Sequence, residues 1–159
     1  MTEFPRSLKF ATLWLLIGTA LFLALQAWQA QQGQSQFSTQ DGVIELRRSA
    51  DGHFYWPGRI NGLAVSFLVD TGATRSALPQ ALAQAAGLRP EGRVQSSTAG
   101  GMVVGWTTTI DLQLHGGVRA TRLPVTVLPA LSAPLLGMDV LAKLRFSQAD
   151  GVLRLRPAR

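Results

Sequence analysis

From residue 43 to the end of the chain, short apolar runs alternate with glycine-containing turns. Runs such as VIELRR, LAVSFLVD, MVVGWTTTIDLQL and VLRLR stand between pairs such as Asn61-Gly62 and Asp150-Gly151. These pairs supply the positive φ angles that two-residue hairpin turns require, and the β-branched and aromatic residues around them suit a half-buried sheet. The pattern therefore predicts a mostly β domain built from hairpins.

Two stretches depart from this strand pattern. Residues 79–87 begin with proline, continue with alanine and leucine, and end with glycine, while residues 138–143 read MDVLAK after a glycine. Proline at the start and glycine after the last turn are typical of short helices. We therefore expect one or two short helices within the β domain.

Residues 10–28 form a long apolar run of nineteen residues without a charge. At about 1.5 Å per residue, a helix of this length spans roughly 28 Å, which is enough for one transmembrane helix. Arg6 and Lys9 precede the run, and no lysine or arginine follows it until Arg47. The positive-inside rule therefore places the N-terminus in the cytoplasm and the rest outside. A cleaved signal peptide is the alternative.

These features divide the chain into four predicted parts. They are a cytoplasmic N-terminus over residues 1–9, a transmembrane helix over 10–28, a Gln-rich linker over 29–40 and a folded domain over 41–159. The linker has the Gln and Ser content of a solvated tether. The roughly 120 residues after it suit one small domain.

Composition and charge narrow the chemistry. The chain has no cysteine, which excludes disulfides, thiol nucleophiles and thiolate zinc sites. His53 and His115 stand far apart beside glycine turns, so no metal site and no other cofactor is predicted. The net charge of +6 is spread along the chain without a dense basic run, so nucleic-acid binding is not predicted either.

The candidate chemistry lies in the sequence FLVDTGA, residues 67–73. The apolar strand places Asp70 against a dry interior, where an ionised carboxylate needs hydrogen-bond donors around it. Gly72 allows backbone N–H groups to approach the carboxylate, and Thr71 offers a hydroxyl that holds the loop. Asp70 is therefore the candidate catalytic residue.

A carboxylate that activates water for attack on an amide needs a second carboxylate beside it. Two like charges about 3 Å apart share one proton, so that one group acts as general base and the other as general acid. The other aspartates of the chain lack the Thr-Gly context: Asp41, Asp51, Asp111, Asp139 and Asp150. The second carboxylate is therefore expected from another copy of the chain across a two-fold axis.

The DTGA segment after an apolar strand, together with a late Leu-Leu-Gly, resembles the two signatures of retropepsin-like aspartic peptidases, particularly their single-pass bacterial membrane members. The active-site loop implied by the resemblance comprises Asp70, Thr71, Gly72 and Ala73, and the structural signature comprises Leu135, Leu136 and Gly137. The resemblance covers about residues 43–156. It implies a single acid-protease lobe, a closed β-barrel-like sheet with one or two short helices, preceded here by the transmembrane helix.

The resemblance also implies roles for individual residues. Asp70 supplies one half of the catalytic dyad, Thr71 hydrogen-bonds across the dimer axis, and the Leu-Leu-Gly segment packs beneath the loop. A glycine-rich hairpin tip resembles the flap that closes over bound peptide: Ser97, Thr98, Ala99, Gly100 and Gly101. Ala73 offers no hydroxyl to the aspartate, so we expect an activity optimum nearer neutral pH than in pepsin-like relatives.

The function that follows is a homodimeric aspartic endopeptidase acting on peptides or proteins. The resemblance and the charge pattern together place it in the bacterial inner membrane, attached to the bilayer through residues 10–28, with the protease domain in the periplasm. One alternative is a non-catalytic dimerisation or peptide-binding module with the same fold. Another is a membrane-tethered scaffold, although scaffolding would not require the DTGA loop.

Overall fold

The computed structural model describes residues 6–32, 37–40, 42–98 and 100–157. These residues belong to two units, Met1–Gln34 and Ser35–Arg159. The helices are α1 (Arg6–Gln32), α2 (Gln80–Ala85) and α3 (Met138–Leu141). The strands are β1 (Phe37–Gln40), β2 (Val43–Arg47), β3 (Tyr55–Ile60), β4 (Leu63–Val69), β5 (Ala77–Pro79), β6 (Gly92–Thr98), β7 (Gly101–Leu114), β8 (Arg119–Leu128), β9 (Leu135–Leu136), β10 (Leu144–Ala149) and β11 (Val152–Pro157).

The first unit contains α1, in which the side chains described at residues 10 and 12–26 are exposed. Trp14 and Leu15 are each 70% exposed. Crossing a bilayer takes about 20 predominantly apolar residues, and in the part of the chain that the structure describes no helix has both the length and the apolarity for it. The transmembrane helix predicted for residues 10–28 is therefore not supported by the structure.

In the second unit, six strands close into a barrel. The larger sheet has the order β3-β4-β9-β5-β8-β7-β6, and β3 also pairs with β7, so the first six strands form a ring that β6 extends. β4 runs parallel to β9, with Leu68 opposite Leu135 and Val69 opposite Leu136. This pairing brings the chain that leaves β4 next to the chain that leaves β9.

The second sheet has the order β1-β2-β11-β10, with every pair antiparallel. In β2 and β11, buried side chains alternate with more exposed ones, because one face of the sheet packs on the core and the other meets solvent. The buried positions on this sheet are Ile44, Leu46, Leu153 and Leu155. β1 lies inside the segment predicted as a linker, so the folded unit extends upstream of the predicted boundary at residue 41.

Buried aromatic residues and tight turns stabilise the hairpins. Trp56 and Phe67 are fully buried, and Trp56 Nε1 donates to the carbonyl oxygen of His115 at 2.9 Å. Asn61 and Gly62 adopt φ angles of 47° and 90°. Two successive positive angles match the twist of the flanking strands, and Asn and Gly adopt them most readily.

The predicted fold class is confirmed in its main features. The domain is mostly β, six strands close a barrel, and the two short helices lie within the predicted stretches. Leu63, which alternates with Phe67 and reads as a core position, is instead 39% exposed. It follows the Asn61-Gly62 turn directly, opposite the fully buried Ile60.

Candidate active site

Asp70 directly follows β4 and is half-buried. Its Oδ1 accepts a hydrogen bond from the backbone N–H of Gly72 at 2.8 Å, while its own N–H donates to the carbonyl oxygen of Leu136 at 3.0 Å. A Cβ on residue 72 would stand 3.2 Å from Oδ1, so glycine leaves room for this close approach. The backbone therefore fixes both the position of Asp70 and one donor to its carboxylate.

The segment after β9 supports the loop from beneath. The N–H of Met138 donates to the carbonyl oxygen of Ala73 at 2.8 Å, and the N–H of Asp139 donates to that of Thr74 at 3.2 Å. A Cβ on Gly137 would lie 2.6 Å from the carbonyl carbon of Arg75 and 2.8 Å from the oxygen of Ala73. Only glycine allows two backbone segments to lie this close together.

Asp139 forms a second link between the two segments. Its Oδ2 accepts the N–H of Ser76 at 3.0 Å, and its Oδ1 accepts the Ser76 hydroxyl at 2.8 Å. The Ser76 oxygen in turn accepts the N–H of Gly137 at 3.1 Å. Ser76 is only 1% exposed, so these bonds satisfy polar groups that would otherwise be buried without partners.

The predicted flap corresponds to the hairpin of β6 and β7. Thr98 pairs with Gly101 at its tip, and the Thr98 hydroxyl donates to the carbonyl oxygen of Gly101 at 2.8 Å. Ala99 lies outside the described residues, whereas Ser97 and Gly100 are exposed. The bond between Thr98 and Gly101 therefore stabilises the tip locally, within its own hairpin.

The hairpin also carries large apolar side chains on its surface. Met102 is 67% exposed and Val104 is 55% exposed. They stand opposite Ser97 and Gln95, so that all four side chains share one face of the two-stranded ribbon. This face offers apolar surface that the rest of the described domain does not cover.

Comparison with known proteins assigns the family. Residues 56–143, more than half of the chain, match the family described as "gag-polyprotein putative aspartyl protease". The chain belongs to this aspartyl protease family. A crystal structure of a retropepsin-like aspartic protease from Rickettsia conorii is similar, with a TM-score of 0.59 and 27% identity over 77% of this chain and 96% of that one. The predicted family and the retropepsin-like fold are thus confirmed.

Curated relatives match over shorter stretches. The Gag-Pol polyprotein of Gibbon ape leukemia virus is 36% identical over 86 residues, or 54% of this chain. An uncharacterized protein of Rickettsia prowazekii is 44% identical over 52 residues, or 33% of this chain. The matched regions make up 5% of the viral polyprotein and 22% of the rickettsial protein.

In this member of the aspartyl protease family, the structure brings together two of the three predicted groups of residues. The loop over residues 70–73 and the segment Leu135–Gly137 are linked by hydrogen bonds and parallel strand pairing. The glycine-rich tip belongs to a separate hairpin at the end of the sheet order. Within the described residues, no three His, Asp or Glu side chains are grouped so that they could hold a metal ion.

Asp139 is the residue that sequence reasoning missed. It lacks the Thr-Gly context, so it does not stand out among the other aspartates. A signal is present nevertheless, since Asp139 stands two residues after the glycine of the second signature, in the first turn of α3. A carboxylate so close to a buried strand end needs donors, and Ser76 six residues after Asp70 supplies them.

Proposed function

We propose that this chain is a membrane-anchored aspartic endopeptidase in which two copies of Asp70, one from each protomer of a homodimer, activate water for peptide hydrolysis. The observation that carries the proposal is the position of Asp70 directly after a barrel strand, with Gly72 donating to its carboxylate. One carboxylate of the pair acts as general base toward water, and the other donates its proton to the carbonyl oxygen of the peptide.

The other described aspartates support the need for a second copy, because each has a different position or partner. Asp139 accepts hydrogen bonds from Ser76. Asp111 accepts the N–H of Arg122, Asp51 accepts the hydroxyl of Tyr55, and Asp150 forms a tight turn between β10 and β11. Asp41 lies outside the described residues. A two-fold axis that brings two Asp70 loops together supplies the second carboxylate.

The edge of the second sheet offers a surface for such a dimer. β10 is the last strand of that sheet, and Phe146 stands opposite Leu155, on the face that packs against the core. Leu155 is fully buried, whereas Phe146 is 41% exposed. Strand pairing between two copies of β10 would cover this side chain. We expect Phe146→Ser to weaken dimerisation in analytical ultracentrifugation, while Leu63→Ser at another exposed apolar position leaves it unchanged.

Attachment to the bilayer is the part of the proposal that rests on sequence. Residues 10–28 carry no charge and follow Arg6 and Lys9, although the described part of α1 does not itself meet the requirement for crossing. The proposed location is the bacterial inner membrane, with the protease domain in the periplasm. If the full chain leaves the membrane fraction on washing with alkaline carbonate, this part is wrong.

The proposed peptidase activity is tested by comparing cleavage of a diverse peptide pool by the wild type and by Asp70→Asn. Cleavage by the wild type and its loss by more than about a thousandfold in the variant are expected, because the amide cannot act as the base. Unchanged dimerisation and thermal stability of Asp70→Asn provide the control. Cleavage that survives the substitution contradicts the proposal.

A non-catalytic peptide-binding module is the second candidate. The exposed Met102 and Val104 on the β6–β7 hairpin favour it, since they offer apolar surface to a bound peptide whether or not hydrolysis follows. If the wild type cleaves no peptide in the pool but binds some of them, and Asp70→Asn binds them equally well, this second function replaces the first.

A further inference from the structure

A groove of about 590 Å³ lies beside the first half of β8. Its lining includes Val118, Arg119, Arg122, Leu123, Val140, Lys143 and Leu144. β5 pairs with β8 only over Thr126–Leu128, so the start of β8 has no strand on that side among the described elements. None of the lining residues belongs to the Asp70 loop or to the hairpin tip. The groove is therefore a separate feature.

The charged residues that line the groove are all positive. Arg119, Arg122 and Lys143 line it and are exposed, and no aspartate or glutamate is among the lining residues. Over the residues that the structure describes, the ion pair found is Arg154 with Glu45, so these three cations have no carboxylate within ion-pair distance. Concave surfaces lined by charges of one sign attract ligands of the other sign.

Apolar side chains supply the remainder of the groove wall. Leu123 and Val140 are buried beneath it, and Val118 and Leu144 are half-buried. A site of several hundred Å³ with apolar walls and a few charged groups is the usual form of a ligand site. A ligand that fits it has acidic groups and apolar surface together.

The backbone at Arg122 provides an independent observation. Its φ angle is +51°, a conformation that glycine adopts freely and that strains an arginine. The strain is stabilised from the neighbouring strand, because Asp111 Oδ1 accepts the Arg122 N–H at 2.9 Å at an irregularity in the β7–β8 pairing. Such irregularities often redirect a side chain toward a site. The Arg122 side chain lines the groove at this irregularity.

We propose that this groove binds an extended acidic peptide segment whose apolar side chains pack on Val118 and Leu144 while its carboxylates meet Arg119, Arg122 and Lys143. A peptide fits better than a simple anion, because the groove is far larger than a phosphate and runs along an open strand edge, a surface to which extended chains bind. The site does not depend on catalysis at Asp70.

The test measures binding of a fluorescein-labelled peptide of alternating Glu and Leu to the full chain carrying Asp70→Asn, so that the probe is not cleaved. Saturable binding that weakens with added salt is expected. An exposed charge contact changes affinity roughly two- to fourfold, so the triple variant Arg119→Gln/Arg122→Gln/Lys143→Gln should weaken binding at least about tenfold.

The matched control is Arg47→Gln/Arg89→Gln/Arg156→Gln, which removes the same charge from exposed positions outside the groove and should leave affinity within about twofold. Equal weakening by both triple variants, or no binding at all, overturns the proposal. Displacement of the probe by inorganic pyrophosphate at equal concentration also overturns it, because a simple anion would then be the ligand.

Arg122→Gly distinguishes the effect of the Arg122 side chain on binding from the effect of the backbone strain on stability. Glycine relieves the positive φ angle, so thermal stability should be kept or raised while affinity for the probe falls roughly two- to fourfold. Unchanged affinity in this variant would show that the Arg122 side chain is not used, and the proposal would fail.

Discussion

The base of the Asp70 loop and the β6–β7 hairpin are stabilised in opposite ways. At the base, backbone hydrogen bonds from Met138 and Asp139 and the buried contact at Gly137 join two segments distant in sequence. In the hairpin, the bonds at the tip are local, and Met102 and Val104 stay exposed. The contacts at the base lie within one chain, whereas the described residues leave the apolar face of the hairpin uncovered.

The two regions meet different requirements: the base must hold Asp70 in a fixed position, and the hairpin must be able to move. A carboxylate that shares a proton must be held within a fraction of an ångström, and the crowded backbone around Gly137 restricts its loop. A lid that admits many peptides needs a hairpin able to move without breaking the core. Substitutions at the base should therefore change stability and activity together, and substitutions in the hairpin should change activity alone.

The largest expected effect is that of Gly137→Ala. The new Cβ would lie 2.6 Å from the carbonyl carbon of Arg75, so the backbone must shift, at a cost of roughly 2–4 kcal/mol in the free energy of unfolding. Gly100→Ala in the hairpin is the matched control, since its Cβ would meet only the Thr98 hydroxyl at 3.8 Å. Urea denaturation measures both. Equal losses of unfolding free energy in the two variants would contradict the difference between the loop base and the hairpin.

Asp139→Ala should have the second-largest effect. It leaves the N–H and hydroxyl of Ser76, a residue 1% exposed, without their acceptor, which costs about 1–3 kcal/mol. Because the loop then loses one of its supports, we expect the turnover rate to fall about tenfold or more. Asp51→Ala removes a carboxylate that also accepts a hydroxyl, but at the surface, and should leave the turnover rate unchanged. A normal rate in Asp139→Ala would argue against the supporting role.

The hairpin pair Met102→Ser and Val104→Ser should behave differently. Both side chains are more than half exposed, so the free energy of unfolding should change by less than about 0.5 kcal/mol. Loss of apolar contact with the peptide should raise KM several-fold. Leu63→Ser, at an apolar position outside the hairpin, is expected to leave KM unchanged. An unchanged KM in the hairpin variants would remove the hairpin from substrate binding.

The smallest effect is expected from Tyr55→Phe, which probes a carboxylate–hydroxyl pair at the surface. The Tyr55 hydroxyl donates to Asp51 at 2.6 Å; this bond lowers the pKa of Asp51 from its ordinary value of 3.8 and raises the pKa of Tyr55 above 10.0. The contribution of the Asp51 carboxylate to the stability of the folded state is present above pH 3.8 and is lost as pH falls through the lowered pKa. The Tyr55 contribution is present below pH 10.0 and is lost as pH rises through the raised pKa.

The stability difference between the wild type and Tyr55→Phe should therefore be largest near neutral pH and disappear at both extremes. Because the pair is exposed to solvent, the difference should stay below about 0.5 kcal/mol. Denaturant titrations at acidic, neutral and alkaline pH measure it. A stability difference that grows toward low pH would contradict the direction of the Asp51 pKa shift.

The family and most of the fold were predictable because they depend on local patterns. Alternation and the Asn61-Gly62 turn indicated the hairpins, and Pro79 marked the start of α2, which the structure places at Gln80. The DTGA and Leu-Leu-Gly segments carried the resemblance that the family match confirms. Each of these signals lies within a few consecutive residues, where backbone preference and side-chain period decide the structure.

What escaped prediction depends on contacts between distant residues. The Asp139–Ser76 bonds span 63 positions, and the strand over Phe37–Gln40 forms only because β2 offers its edge. Leu63 is a further example, since alternation indicates the face of a strand but not how far each side chain on that face is exposed. The exposure of Phe146 likewise becomes visible only when its neighbours on the sheet are known.

Mixing wild-type and Asp70→Asn chains tests most directly whether two copies of Asp70 form one site. Both chains are assembled together at equal amounts under conditions in which dimers exchange, and peptide cleavage is compared with that of the same amount of wild type alone. If both carboxylates are required, random pairing places about half of the wild-type chains in inactive mixed dimers, so activity should fall to about one half. Activity that stays at the wild-type level or rises above it would mean that one Asp70 suffices, and the account would be wrong.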